Sequence, residues 1–408
     1  MPARKKKTGP PPLPEPDRQL ALRTVMELMA TPGPSGREGQ VIRYLMDHLR
    51  RAGYRKSQMT LDETPKKSPL GGETGGLILQ LPGTRPGPRR LLMAHVDTVP
   101  LCVGSRPVLR RGYVVSADRQ TALGADDRAG VAVLLLVALA LKAHRLPHPP
   151  LTFYWPVQEE VGLFGARYIT LAALGRPRLA FNWDGGDPAK LTVGATGAYR
   201  LEIEVRGRAS HAGGAPEQGV SATAIAALAI AQLVEEGWHG LVEKDGQLGT
   251  SNVGVIQGGQ ATNVVTDRVL VRAEARSHNA DFRKRIVEQY RRAFQQAAAR
   301  VQSAAGHRGR VQFRQRLDYE AFVLDPQQPC VLAAEAAVRR VGGKPQRAVA
   351  NGGLDANWLT AKGLPTVSLG CGQLNQHTTA ERLRVSWFLQ ACRTALVLAC
   401  GAEEAAGE

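Results

Sequence analysis

The chain has 408 residues, 43% of them hydrophobic and only 5% aromatic, with a formal net charge of +17. That length can bury a sizeable core in two or three domains, and its longest apolar run, Val131 to Leu141, suits a buried helix and excludes a membrane span. The charge raises nucleic acid as a partner, but the arginines are spread along the chain and no zinc-finger, RRM or helix-turn-helix pattern accompanies them, which argues against a specific nucleic-acid role.

The opening stretch, MPARKKKTGPPPLPEP, has charge and proline but no apolar segment behind them, so 1–16 reads as a disordered basic tail and not a secretory signal. Helical periodicity covers Asp17 to Ala30 and Arg37 to Ala52, split by the turn TPGPSGREGQ. GGLILQLPG and RRLLMAHVDTVP are short apolar runs punctuated by Gly or Pro and read as strands. DDRAGVAVLLLVALALKAH is a buried helix, LTFYWPVQEE the next strand, YITLAALG a short helix and LAFNWDGG a further strand. Strand and helix alternate, as in an α/β unit with a mostly parallel sheet.

Near Ala198 the pattern changes. AYRLEIEVRG is an alternating strand, VSATAIAALAIAQLVEEG a helix, TSNVGVIQGG and DRVLVRAEARSH strands, DFRKRIVEQYRRAFQQAAARV an amphipathic helix and RVQFRQRLDYE a last strand. That β-α-β-β-α-β order is ferredoxin-like. After about Asp325 the first pattern returns with PCVLAAEAAVRRVGG, LDANWLTAKG, LPTVSLGCG and VSWFLQACRTALVLACG. The expected organisation is an α/β domain with a mostly parallel mixed sheet flanked by helices, in two parts, 17–197 and 318–400. A ferredoxin-like α+β insertion at 198–317 interrupts it, and 401–408 forms a frayed end. Five scattered cysteines without a CxxC pair point to a reduced, cytoplasmic setting.

Apolar strands end in residues of metal-ligand type: His95 and Asp97, Glu159 and Glu160, Asp184, and a stretch leading to His377. A helix start adds Asp126 and Asp127. In open parallel sheets, ligands gather beyond the carboxyl ends of the strands, so these groups would meet in one crevice. Each signal alone has a plainer reading. His95 and Asp97 could be a core histidine with a loop carboxylate, Asp126 and Asp127 a helix cap, and Asp184 a turn residue. The adjacent glutamates are more telling, because neighbouring strand residues point in opposite directions. One can bind metal while the other acts as general base on water. Hard carboxylates with imidazoles and a shared aspartate suit a pair of Zn²⁺ ions.

AHVDTVP, GADDRAGVAVLL, PVQEEVGLFGA, FNWDGG, SHAGGAPEQGVSA, GGLDANWL and CGQLNQHT occur in the order found in co-catalytic di-zinc peptidases. The chain resembles that family, which includes peptidase T, carnosinase, glutamate carboxypeptidase and aminoacylase, from about Pro34 to Ala399. GADD with EEVGLFGA and FNWDGG is most similar to the peptidase T branch. The resemblance implies that Asp126 bridges two zinc ions, that His95 and Asp184 complete one and that Glu160 and His377 complete the other, with Co²⁺ or Mn²⁺ as substitutes. It implies Glu159 as general base and proton donor, Asp97 as the partner of His95, and Asp127 as part of a bend that in this family often holds a cis peptide. It further implies that the insertion is a lid and homodimerisation domain. There His211 would stabilise the oxyanion, commonly in the partner subunit's site, and Asn263 and Arg276 would grip the substrate's carboxylate or carbonyl groups. Arg276 could equally be a surface charge, and Asn263 a turn residue. Asn351 in NGGLDAN departs from the arginine often found before GG-Thr-Asp in the peptidase T branch, which puts a strict aminotripeptidase assignment in question. The expected activity is hydrolysis of amide or peptide bonds in small peptides. N-acyl amino acid hydrolysis, a carboxypeptidase of the same family, and a non-catalytic binding protein of this fold stay open as alternatives.

Overall fold

The computed structural model describes residues 13–403. Most of the 1–16 tail and residues 404–408 of the frayed end lie outside the described residues. The chain divides into two compact units: one of residues up to 194 with 323–350 and 354 onward, the other of 195–322 with 351–353.

The first unit is built on a mixed sheet. Seven of its nine strands lie in the order Met59–Leu61, Leu77–Leu81, Leu151–Trp155, Arg90–Met93, Leu179–Trp183, Thr366–Leu369 and Lys190–Ala195. The four from Leu151–Trp155 to Thr366–Leu369 run parallel, with antiparallel neighbours on either side. Every residue of those four is buried. A parallel strand covered on both faces reads as a continuous apolar run, which is why LTFYW and LAFNW show no alternation. The helix Ala125–Ala143 is apolar nearly all round and is accordingly packed between the helices Arg18–Ala30 and Val385–Cys400.

YITLAALG does not form the expected helix. The helix lies earlier, at Phe164–Tyr168, and Ile169 leaves it in an extended conformation. Lys362 Nζ donates to the carbonyls of Ala166, Arg167 and Ile169 at 2.6–2.7 Å, so these oxygens are taken by an ammonium where a further helical turn would need them. A small antiparallel sheet joins Gln373–Leu374, Arg382–Arg384, Tyr113–Ser116 and Pro107–Arg110. Its first two strands close the loop 375–381 that carries His377.

The second unit is an antiparallel sheet in the order Gly240–Lys244, Gln247–Gly258, Arg268–Ser277, Gly197–Arg206 and Arg310–Tyr319. Setting aside Gly240–Lys244, this is the ferredoxin-like arrangement with its two helices, Ala222–Glu235 and Ala280–Arg300. Ile203, Val205, Val271, Tyr290 and Phe294 belong to the core of this unit. Among the described residues no helix is long and apolar enough to cross a membrane. All five cysteines are free and buried.

Candidate active site

His95 and Asp97 follow the strand Arg90–Met93, Glu159 and Glu160 follow Leu151–Trp155, and Asp184 follows Leu179–Trp183. His377 lies eight residues beyond Thr366–Leu369, so these groups emerge from the carboxyl ends of the parallel strands. Asp126 and Asp127 open the long helix with non-helical dihedrals, and the peptide between them is cis.

The side chains converge. Ligand atoms of His95, Asp126 and Glu160 lie within 4.8 Å of one another, and so do those of His95, Glu159 and Asp184. The two oxygens of Asp126 face different histidines: Oδ1 is 3.4 Å from His95 Nε2 and Oδ2 is 3.3 Å from His377 Nε2. His377 Nε2 is also 3.0 Å from Glu160 Oε1. His95 Nδ1 donates to the Asp97 carbonyl at 3.2 Å, which leaves Nε2 as the lone-pair nitrogen aimed at the acids. The Asp97 carboxylate accepts the backbone N–H of Glu159 at 2.9 Å and of Glu160 at 3.1 Å. It therefore braces the turn that carries both glutamates as well as standing beside His95.

Burial and mutual repulsion of the acids dominate the electrostatics. Burial pushes Glu159 well above the usual carboxylate range, and Glu160, Asp355 and Asp184 push the same way against the pull of His95. Asp184 rises to about 8 through burial and the neighbouring Asp126. Burial alone would lower His95, but Glu159, Asp126 and Asp97 hold its imidazole well above the ordinary value. Asp126 and Glu160 lift His377 to about 10. Clustered imidazoles and carboxylates of this kind fit divalent metal ions of the zinc type, whose positive charge would offset the mutual repulsion.

Residues 91–399 match the family described as Peptidase family M20/M25/M40. The chain belongs to this family. The protein YqjE of Bacillus subtilis (strain 168) is 30% identical over 391 residues, spanning 94% of this chain and 98% of that one. The crystal structure of a tripeptidase from Staphylococcus aureus superposes with a TM-score of 0.84 at 28% identity, covering 96% of this chain and all of the other (100%). The aminopeptidase PepT from Bacillus cereus gives a TM-score of 0.79 at 29% identity, with 95% and 100% covered.

In this M20-family peptidase the remaining expected residues sit in the second unit. His211 and Asn263 are neighbours: His211 bridges to Val264, and Ala212 N–H donates to Asn263 O at 2.9 Å. His211 Nδ1 accepts from the N–H of Gly213 at 3.2 Å and of Gly214 at 2.8 Å, which places the ring proton on the exposed Nε2. Arg276 forms a two-point pair with Glu274 at 2.9 and 3.0 Å, and its Nη1 donates to Asn351 O at 3.4 Å. Asn351 Oδ1 lies 3.4 Å from His278 Nε2.

Several residues around the acid cluster escaped the sequence reading. Glu381 accepts the N–H of Gly124 at 2.6 Å and of Asp126 at 2.9 Å, so it holds the backbone on which Asp126 sits. Asp127, which the sequence did single out, also holds Gln373, accepting its Nε2 at 2.6 Å, and accepts the N–H of Gly130 at 3.1 Å. Asp355, 1% exposed, has neither carboxylate oxygen hydrogen-bonded among the described residues, and burial with the nearby Asp97 and Glu160 charges lifts it to about 7 against the pull of His95 and Lys362. Of Glu381 and Asp355, only Asp355 carries a sequence signal, the run GGLDANWL that holds it.

Proposed function

We propose that the chain hydrolyses the peptide bond of small peptides in the manner of an aminopeptidase or tripeptidase, with two zinc ions held by His95, Asp126, Glu160, Asp184 and His377. The observation that carries this reading is Asp126, whose two oxygens face His95 and His377 as those of a bridging carboxylate would. The likeness to the S. aureus tripeptidase and the B. cereus aminopeptidase supports the substrate class. The bound metals would polarise the scissile carbonyl and bring the pKa of water toward neutrality.

The chain's own residues do the rest. Glu159, buried and pushed up, is suited to take a proton from the attacking water and return it to the leaving amine. Of the two glutamates, Glu160 is the one paired with His377, which leaves Glu159 for the proton. Asp97 fixes the direction of His95 and of both glutamates. His211 has its Nε2–H to offer to the oxyanion. Asn263 beside it is assigned to the substrate, as is Arg276, which would have to share its guanidinium with Glu274.

The same reading includes a homodimer through the second unit, in a cytoplasmic setting. The edge strand Gly240–Lys244 presents Leu241, 66% exposed, beside Leu248, 59% exposed, on the neighbouring strand. An open strand edge with apolar side chains is a surface for pairing with another chain. Sedimentation of the active enzyme as a monomer would remove the dimer.

The deciding experiment is Glu159→Ala assayed against tripeptides, dipeptides, C-terminal glutamates and N-acetyl amino acids, with bound metal counted on the same sample. Loss of general-base help should lower kcat roughly 10²- to 10⁴-fold while metal stays bound. Undiminished hydrolysis would sink the assignment, and turnover of N-acetyl amino acids over peptides by the native enzyme would move the substrate class.

A further inference from the structure

The turn from Thr31 to Glu38 is tied to the acid cluster at several points. Arg128, 1% exposed, reaches back from the long helix and its Nη2 donates to the carbonyls of Thr31 and Gly33, each at 3.3 Å. A Cβ at Gly33 would lie 2.6 Å from that Nη2 and 2.8 Å from Val41 Cγ2, so a larger residue there would displace the guanidinium or the valine. Thr98 N–H donates to the Gly33 carbonyl as well, at 3.2 Å. From this anchored turn two side chains reach inward. Ser35 Oγ donates to Asp97 Oδ2 at 2.6 Å. Glu38, fully buried, accepts two backbone N–H groups on Oε1, from Gly36 at 2.8 Å and from Gln158 at 3.1 Å.

The second of these contacts matters most. The N–H groups of Gln158, Glu159 and Glu160 are all received by buried carboxylates, Glu38 taking the first and Asp97 the other two. Gln158 stands at φ 58°, a left-handed conformation that a residue with a side chain holds only where its surroundings impose it. Its side chain is held at both ends, accepting from Ser68 Oγ at 2.5 Å and donating to Gly71 O at 2.6 Å. The backbone thus turns sharply one residue before Glu159, and the group fixing that turn from the backbone side is Glu38. Burial and the Asp97 charge push Glu38 up to about 7, as expected for a carboxylate kept from water.

We propose that Glu38 is a positioning residue for Glu159: by holding Gln158 N–H it sets the left-handed turn that aims the Glu159 carboxylate. This rests on the reading of Glu159 as general base. The role needs an acceptor at the Oε1 position and no charge, so glutamine should serve and alanine should not. Glu38 itself contacts only the N–H groups of Gly36 and Gln158, while Asp97 holds Glu160 and stands beside His95, so the loss should fall on kcat and not on KM or metal content.

The test compares Glu38→Ala, Glu38→Gln and Glu159→Ala, each with kcat, KM, bound metal and thermal midpoint measured on the same preparation. Glu38→Ala should lower kcat roughly 100-fold, the scale expected for a misplaced catalytic group, with KM and metal content held. Glu38→Gln should restore most of it. Native kcat in Glu38→Ala, equal losses in Ala and Gln, or a loss proportional to lost metal would each overturn the proposal. Where Glu38→Ala does not fold, Glu38→Asp takes its place, since it keeps the charge and shortens the arm by one methylene; native kcat there overturns the proposal too. An active Glu159→Ala would defeat the reading of the base itself, whereas an inactive Glu159→Ala beside a fully active Glu38→Ala defeats only the positioning role.

Discussion

Glu381 fixes where Asp126 can point, because it holds the N–H groups of Gly124 and Asp126. Gly124 is left-handed at φ 80°, so the chain swings into the helix at this point and has no helical partner for those donors. Replacing Glu381 by alanine leaves both buried donors unmatched, at about 1–3 kcal/mol for each. The larger consequence is for the metals. A group that orients a ligand typically changes metal affinity by roughly 10- to 100-fold, and that loss is expected for Glu381→Ala in competition with a chromophoric chelator. Unchanged affinity would mean that Asp126 is held by its histidine contacts alone.

The central elements were legible because their signals are local. Four apolar runs ended by acids or histidine are parallel strands in the structure, and a long apolar stretch is the buried helix. The edge strand Gly240–Lys244 and the small sheet of Pro107–Arg110, Tyr113–Ser116, Gln373–Leu374 and Arg382–Arg384 were not, since they are partly exposed, form no continuous apolar run and exist through pairing alone. The acid cluster divides along the same line. Ligand-type residues at strand ends could be placed by topology. Glu38, Ser35 and Glu381 act through backbone groups or partners up to hundreds of positions away, as with Glu381 and Gly124 at a separation of 257. The long helix also carries a constraint that no periodicity shows. A Cβ on Gly130 would lie 2.6 Å from both Asp127 oxygens and from the Trp183 carbonyl. Gly130→Ala is therefore expected to destabilise by about 1–3 kcal/mol through overpacking, despite alanine's better helix propensity, as read by urea unfolding. A stabilised variant would show that the Asp127 bend can give way.

At the scale of the whole molecule, charge is the dominant variable. Much of the +17 is arginine, and on the sheet of the second unit it is partly matched, as in Arg200 with Glu274 at 2.7 Å and Arg268 with Glu204 at 2.6 Å. Such exposed pairs contribute little and fade with salt. The buried acids of the first unit matter more. Burial, with the help of Asp97 for Glu38 and of Asp126 for Glu381, lifts both to about 7 from an ordinary 4.5. Between those values the folded state holds protons that the unfolded chain has released, so folding stability falls as pH rises through the interval. The effect is on the order of 3 kcal/mol for each acid at its full extent. His377, raised from 6.5 to about 10, contributes stability fully below 6.5 and loses it as pH climbs toward 10, in the same direction. His148, which burial pushes down, works the other way, as does Lys362, which burial lowers to about 8.

Metal-free protein, prepared by chelation, should therefore unfold at a higher urea concentration at pH 5 than at pH 8. Metal binding requires deprotonated ligands, so adding back a divalent metal ion should stabilise more at pH 8 than at pH 5 and narrow or reverse that difference. Glu38→Gln removes one of the titrating acids and should flatten the slope of the metal-free protein. A chelated protein more stable at pH 8 than at pH 5 would mean that the acid cluster is not the unbalanced charge that its burial implies.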